Sequence, residues 1–448
     1  MYIYPAYFKG FFKKWRTIVY TFLILIFLGL PWIKINHHSA ILIDIVHRKF
    51  AIFGLTFWGH DAPILFLVLF IFVLLLGSIT ALFGRIWCGW MCPQTVFIEA
   101  VFRKIEVLIE GSPNDRKKLD QSPLTLKKMI KRSTKWIAYI LISFVITHSF
   151  LAYLTGPETL QKMITSSPSA HPSAFALMLV ANIVILFNFG WFREQFCIIA
   201  CPYGRLQSVF MDPNSLVIAY DQKRGEPRKS TTTNTNEGDC INCYRCVQVC
   251  PTGIDIRRGV QLECIMCTAC IDACDTVMEK INQPKGLIKY TTEQSLAGKK
   301  TNWFRPRIAL YFLLILIASI TLATIVSKRD LTPIFARNSK QSPYWALPTG
   351  EIVNTFTINI HNQHFETINI TLSPDKSDPK STKIKWITPT PTLRIAGGKN
   401  ATQIVIIEFP KTSIQNGSAQ LKVLKTITHP HHGLIKKIEE ITLVGPLR

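Results

Sequence analysis

Between residues 240 and 274 one cysteine spacing occurs twice, as Cys240-x2-Cys243-x2-Cys246-x3-Cys250-Pro251 and as Cys264-x2-Cys267-x2-Cys270-x3-Cys274. Three thiolates at that spacing wrap one corner of an iron–sulfur cubane while the fourth reaches a second one, the run of bacterial two-cluster ferredoxins. The spacing assigns Cys240, Cys243, Cys246 and Cys274 to one [4Fe–4S] cluster and Cys264, Cys267, Cys270 and Cys250 to the other. Four thiolates also suit zinc, but zinc ribbons carry two separated C-x2-C pairs rather than a three-cysteine run plus a fourth. A disulfide scaffold needs cysteines spread over a short secreted chain, whereas all 12 cysteines of these 448 residues fall between Cys88 and Cys274. The expected role is electron transfer, with the clusters as relays.

Around this segment lie five apolar stretches long enough to cross a bilayer, which takes about 20 residues. They are Thr17–Ile33, Ala62–Gly84, Lys135–Leu154, Ala174–Phe192 and Pro306–Val326. The first is read as a retained span, since the apolar run is long and no small-residue cleavage site follows it. Basic residues set the expected orientation. Lys13, Lys14 and Arg16 precede the first span, and Arg85, Arg103, Lys104, Arg116 and Lys127 to Arg132 follow the second. The segment between spans four and five is basic again, while the loop after span three holds only Lys162. The positive-inside rule then puts the N-terminus and the cysteine-rich insert in the cytoplasm and the C-terminal segment outside. The first outside loop, with Lys34, Arg48 and Lys49, runs partly against this but is poorer in charge than its inside neighbours. The formal net charge of +23 is thus mostly topology and contact with membrane lipid. No nucleic-acid-binding motif accompanies it, and no glycine-rich phosphate loop or dinucleotide fingerprint is present.

The domain reading follows: 1–191, spans one to four; 192–305, a cytoplasmic ferredoxin-like insert with a polar linker at Lys229–Gly238; 306–326, the fifth span; and 327–448. The last segment lacks cysteine. It shows short alternating runs (Glu351–Ile360, Phe365–Leu372, Lys383–Ile387, Thr402–Phe409, Gln420–Thr426, Leu434–Leu443) separated by turn signals such as Asn416-Gly417. That pattern predicts an immunoglobulin-like β-sandwich.

Four cysteines remain, in two C-x3-C-P motifs: Cys88 and Cys92 after span two, Cys197 and Cys201 after span four. On a helix, residues four apart share a face, so each pair is expected to present two thiolates to one soft ion such as Cu(I). Met91 adds a thioether. A redox-active dithiol, a further cluster shared between the pairs, and plain packing at helix ends remain as alternatives. Only His148 falls inside a span, too few for a bis-histidine haem. His37, His38, His47 and His60 fall in the first outside loop. His429, His431 and His432 form a group in the C-terminal segment for which copper binding competes with ordinary surface histidines.

Together these residues resemble the cytochrome c oxidase accessory protein family, CcoG or FixG. The likeness rests on Cys-Gly-Trp-Met-Cys-Pro-Gln-Thr from Cys88, Cys-Ile-Ile-Ala-Cys-Pro-Tyr-Gly-Arg from Cys197, and the double cluster run. It extends to Ile52–Trp58, Gly225–Arg228, Val249–Arg257 and Gly286–Glu293; Gly59-His60-Asp61 stands where Pro-Gln-Asp is expected. The resemblance implies a protein of the bacterial inner membrane, its C-terminal domain periplasmic, that acts as a cupric reductase. It would reduce Cu(II) to Cu(I) for assembly of cbb3-type cytochrome oxidase, with copper at Cys88, Cys92, Cys197 and Cys201. It further implies a cytosolic electron donor, a copper transporter or chaperone, and cbb3-type oxidase subunits as partners. The competing readings are a quinol-linked polyferredoxin-type electron-transfer subunit and a non-redox scaffold for oxidase assembly.

Overall fold

The structure, a computed structural model, describes residues 3–35, 38–46, 48–58, 61–229, 238–327, 332, 334–338, 343–379, 381–414, 416–431 and 433–446. His37, His47, Gly59, His60, His432 and most of the Lys229–Gly238 linker lie outside these residues. The chain divides into two units, Met1–Ile45 with Pro63–Ala323, and Val46–Ala62 with Thr324–Arg448.

The first unit is built on five long apolar helices: α1 (Phe11–Gly29), α2 (Ala62–Phe83), α3 (Leu126–Thr155), α4 (Pro172–Leu186) and α5 (Pro306–Ser327). Each is long and apolar enough to cross a membrane. A bilayer interior offers backbone groups no water to bond, so a lone spanning segment must be helical. Large apolar side chains such as Phe66, Leu69, Phe72, Leu313 and Ile317 point outward, a pattern suited to lipid and not to water. Two helices start earlier than the apolar runs. α1 includes Lys13, Lys14 and Arg16, and α3 begins at Leu126, where the Thr125 hydroxyl accepts from the Lys128 amide. Long basic side chains can lie along a helix and reach the polar boundary, so charge does not end these helices.

Between α4 and α5 the cysteine-rich segment forms its own small core. Strand Val217–Tyr220 pairs antiparallel with Ile288–Thr291, which closes the insert on itself. Ile218, Tyr220, Ile256, Met266, Ile271, Met278, Leu287 and Ile288 are buried together around Cys240 and Cys246. The segment docks on the N-terminal end of α1. Asp272 accepts from the Phe12 and Lys13 amides at 3.1 and 2.7 Å, which satisfies two of the unpaired donors at the helix start.

The second unit is a sandwich of two antiparallel sheets. One contains Ile334–Asn338, Trp345–Ala346, Glu351–His361, Asn400–Pro410 and Lys385–Ile387; the other contains Thr392–Ile395, Ile368–Pro374, Ser418–His429 and Gly433–Val444. Strict alternation of buried and less buried residues along Glu351–His361 and Asn400–Pro410 buries Phe356, Ile358, Ile360, Val405, Ile407 and Phe409 between the sheets. Three strands escape the alternation pattern: Ile334–Asn338, Trp345–Ala346 and Thr392–Ile395. They are short edge pieces beside Pro333, Pro343 and Pro391, and proline belongs at sheet edges.

Residues 46–62, part of the 1–191 segment by sequence, pack with this unit. They form a hairpin of Lys49–Ile52 and Leu55–Trp58. Trp58 is buried, donates its indole N–H to the Gln363 carbonyl at 2.7 Å and meets Phe365 edge to face. An aromatic ring of that size, with its one polar atom satisfied, holds the hairpin to the sandwich.

Candidate functional site

The two cysteine quartets assemble as their spacing requires. One enclosed pocket is lined by Cys240, Cys243, Cys246 and Cys274, with Tyr220, Val277, Met278 and Leu287. A second is lined by Cys250, Cys264, Cys267 and Cys270, with Ile218, Ile254 and Ile256. Cys246 borders both, so the pockets share a wall. The backbone repeats as well. Asn242 and Tyr244 in the first run, Met266 and Thr268 in the second, have φ of 54°, 56°, 53° and 63°. In both runs the residues flanking the second cysteine are left-handed, a conformation non-glycine residues adopt at a cost and mostly at functional sites. This curls the chain around each pocket. No carboxylate or imidazole lines either pocket. Four thiols in each pocket, beside Arg245 and Arg257 in the first and Thr252 and Thr268 in the second, fit an anionic iron–sulfur cluster and offer little to hard ions. Burial pushes the thiols of Cys264 and Cys274 up to about 12 and that of Cys246 to about 11, so they would give up their protons to a metal centre rather than to water.

The other four cysteines come together from motifs 109 residues apart in sequence. Cys88, Cys92, Cys197 and Cys201 all line one cavity of about 250 Å³. Neither pair lies on a continuous helix as the four-residue spacing predicts. Cys88 is in the short helix Ile86–Trp90, while Cys92 is extended and caps the helix Pro93–Phe97. Cys197 is in the wide turn Phe196–Ala200, and Cys201 is extended and caps Pro202–Phe210. The cause is the proline after each pair. It disfavours helical geometry in the residue before it and is itself suited to the first turn of a new helix. The second cysteine therefore swings off the helix face into the cavity.

Reciprocal contacts stitch the two motifs together. Gln94, two residues after Cys92, donates to the Asn188 side chain at 3.0 Å and to the Arg193 carbonyl at 3.2 Å, and accepts from Asn188 at 2.8 Å. Gln207, six residues after Cys201, accepts from the Cys88 thiol at 3.4 Å. Arg85 donates to the carbonyls of Gly204 and Leu262, and Tyr203 meets Thr80 at 2.8 Å. A buried charge network backs the second motif: Arg193 bonds Glu106, and Arg103 bonds Glu99 and Glu194. Burial raises the thiols of Cys88 and Cys197 to about 12 and lifts Cys92 as well.

The cavity abuts the second quartet. Leu262, Glu263 and Ile265, which flank Cys264, complete its lining. Cys88 packs with Val249, Ile265 and Cys267. Gly89 is so close to that loop that a Cβ there would lie 2.4 Å from the Ile265 carbonyl oxygen and 2.8 Å from Met266. The cysteine motifs announce themselves in the sequence, but Gln94, Gln207, Arg85 and Gly89 do not, because their partners are far along the chain.

Residues 192–293 match a family profile described as a 4Fe-4S dicluster domain, residues 64–110 one described as a 4Fe-4S binding domain, and residues 322–446 the IG-like fold at the C-terminus of FixG. Protein RdxA of Cereibacter sphaeroides is 34% identical over 390 residues, 84% of this chain and 82% of the relative. The nitrogen fixation protein FixG of Rhizobium meliloti is 30% identical over 440 residues, 88% of this chain and 81% of the relative. The chain belongs to the FixG family. A crystal structure of a FixG-related protein from Vibrio parahaemolyticus aligns over 27% of this chain and all of its own, at 13% identity and a TM-score of 0.21, too low to carry an argument. As a FixG homologue the chain is a membrane-associated iron–sulfur electron-transfer protein with five apolar helices, a two-cluster segment and an immunoglobulin-like C-terminal fold.

Of the grouped histidines of the sandwich, His429 and His431 lie among the described residues. His429 is buried; its Nδ1 accepts from the His431 amide at 3.2 Å and its Nε2 faces Glu366 at 3.5 Å. Both ring nitrogens thus face groups of the protein, and the His364 ring meets that of His429 edge to face at 4.7 Å. Among the described residues no three His, Cys, Asp or Glu side chains are gathered tightly around a single point.

Proposed function

We propose that this protein carries single electrons from a cytosolic donor to copper at the membrane face, reducing Cu(II) to Cu(I) for assembly of cbb3-type cytochrome oxidase. The observation that carries the reading is the convergence of Cys88, Cys92, Cys197 and Cys201 on one cavity whose wall is the loop of the second cluster quartet. In this reading Cys240, Cys243, Cys246 and Cys274 hold one [4Fe–4S] cluster and Cys250, Cys264, Cys267 and Cys270 the other, and the clusters supply one electron at a time. The electron lost by a reduced cluster is the electron gained by Cu(II). Soft thiolates favour the Cu(I) product, and a pair of them suffices for that ion, so the cavity wall need not close on four ligands at once. The high proton affinity of Cys88 and Cys197 means that copper uptake releases protons. The basic residues around the α1 start and the α2–α3 segment support a cytoplasmic cluster segment and a periplasmic sandwich; in this reading copper exchanges with a copper transporter or chaperone and the sandwich meets oxidase subunits.

The test uses anaerobically purified full-length protein. Dithionite-reduced wild type is expected to reduce Cu(II) stoichiometrically with loss of the reduced-cluster EPR signal. Cys88→Ala with Cys92→Ala is expected to retain iron but bind less copper. Unchanged copper stoichiometry in that double variant would sink the copper site. Rapid reoxidation of the clusters by a quinone analogue in place of copper would favour the quinol-linked reading.

A further inference from the structure

Arg16 sits in the first span and is almost wholly buried, at 2% exposure. Its Nη1 donates to the backbone carbonyl of Cys267 at 2.6 Å. Its Nε and Nη2 both donate to the Tyr20 hydroxyl, at 3.1 and 2.8 Å. The Tyr20 hydroxyl in turn donates to the Gly89 carbonyl at 2.5 Å. One unbroken chain of hydrogen bonds therefore links a cysteine of the second quartet to the loop between Cys88 and Cys92. The positive-inside rule accounts for a basic residue near this end of the helix, but not for one buried against a cluster loop, where an unneeded charge is expensive.

We propose that Arg16, held by Tyr20, is a positioning residue that raises the reduction potential of the cluster on Cys250, Cys264, Cys267 and Cys270 and couples it to the Cys88–Cys92 loop. This rests on the ligand assignment above. Reduction adds one negative charge to a cluster, and hydrogen bonding, burial and net charge around it tune its potential. A fixed guanidinium favours the reduced form, and burial leaves it little screened. Arg16 touches the second quartet and not the first, whose pocket has its own guanidiniums in Arg245 and Arg257, so Arg16 acts on the potential of the cluster beside the thiol cavity alone. Cys243 of the first quartet is exposed, which suits that quartet for electron entry, and Arg16 keeps the second cluster able to receive the electron next to the cavity. Glu99 opposes this effect: Lys13 lies 3.8 Å from it and Arg103 is bonded to it, which keeps a carboxylate near the same end of α1.

An EPR-monitored redox titration of full-length protein in detergent tests the proposal, with iron counted alongside. Cys267→Ser identifies which signal belongs to the second quartet. Arg16→Gln is expected to lower that cluster's midpoint by the equivalent of about tenfold in the reduced-to-oxidised ratio, about 59 mV for one electron, and to leave the other cluster where it was. Arg16→Lys is expected to restore most of the shift. Tyr20→Phe is expected to keep the potential but slow reoxidation by Cu(II). Equal potentials in wild type and an iron-replete Arg16→Gln would overturn the proposal. Should Arg16→Gln lose iron, Glu99→Gln carries the test: its cluster potential is expected to rise, and no change or a fall refutes the electrostatic role. Wild type lacking two cluster signals would refute the ligand assignment instead, which separates the two failures.

Discussion

Gly89→Ala puts a single methyl group into the contact between the thiol cavity and the second cluster loop. The built Cβ would lie 2.4 Å from the Ile265 carbonyl oxygen and 2.8 Å from the Met266 carbonyl carbon and oxygen. Ordinary van der Waals contact begins near 3.4 Å, so one of the two loops must retreat by about 1 Å (3.4 minus 2.4). Both are held. The Gly89 carbonyl accepts from Tyr20, and Arg85 bonds the Leu262 carbonyl while its amide meets the Met266 sulfur at 3.0 Å. The obstructing atoms are backbone, with no flexible side-chain end to swing away. Overpacking of this kind costs about 1–3 kcal/mol. Its functional effect is of similar size, because a misplacement of about 1 Å can cost on the order of a hundredfold in rate, about 2.7 kcal/mol. The assay is anaerobic stopped-flow mixing of dithionite-reduced protein with Cu(II), following cluster bleaching, with copper stoichiometry and iron content measured on the same sample. Slower bleaching with both metals retained is expected. Wild-type bleaching in a variant with full iron would show that the contact between Gly89 and residues 265–266 is not on the electron path.

Other perturbations read other parts of the molecule. Copper loading of the reduced protein is expected to rise with pH across the neutral range: the buried thiols of Cys88 and Cys197 bind protons up to about pH 12, so copper must displace them and gains about tenfold in apparent affinity per proton released and pH unit. Equilibrium dialysis at several pH values checks this, and a flat profile would place copper on other ligands. Glu106→Gln leaves Arg193 and Arg116 buried with one counter-charge fewer and is expected to destabilise the first unit by about 3–5 kcal/mol, seen as an early thermal transition with loss of copper ahead of iron. Trp58→Ala is expected to cost the second unit about 3–5 kcal/mol, since it empties a buried site between the 49–58 hairpin and Phe365; limited proteolysis should then cut the C-terminal segment while the cluster spectrum stays unchanged. Asn354→Ala removes a buried amide that bonds the Val444 backbone on both its N–H and its carbonyl, at 2.7 and 2.8 Å, and is expected to cost about 1–3 kcal/mol by the same proteolytic measure.

What could be read in advance follows the range of the interaction that encodes it. The cluster runs are local: each ligand spacing of two or three residues is a property of one loop, and the pocket quartets match it. The sandwich core is nearly local, because alternation along Glu351–His361 or Asn400–Pro410 already states which face is buried. The apolar helices announce their length but not their starts, since Lys13 and Arg16 look like flanking charges until Asp272 and Cys267 are found against them. The C-x3-C pairs are misleading in a specific way. Their spacing suggests one helical face per pair, but the proline that follows each pair breaks that face and turns the second cysteine inward. The result is one site built from both motifs instead of two separate sites.

That rearrangement changes what the motifs can do. Two dithiol faces on separate helices could each hold an ion with no reference to the clusters. A single cavity at the junction of both motifs, walled on one side by residues 262, 263 and 265, takes part of its lining from the cluster segment. Its contacts are made by residues that carry no motif of their own: Arg85 toward the loop before Cys264, Gly89 against the loop after it, and Arg16 with Tyr20 spanning both. The ferredoxin core thereby supplies part of the wall of the thiol cavity. Loss of iron should loosen Ile265 and Met266 and open the cavity, so that copper retention depends on cluster occupancy even though no cysteine ligates both. Iron-depleted protein with all four cavity cysteines intact is therefore expected to bind copper more weakly than the iron-replete protein. Equal binding in the two would mean that the cavity is held by the membrane helices alone.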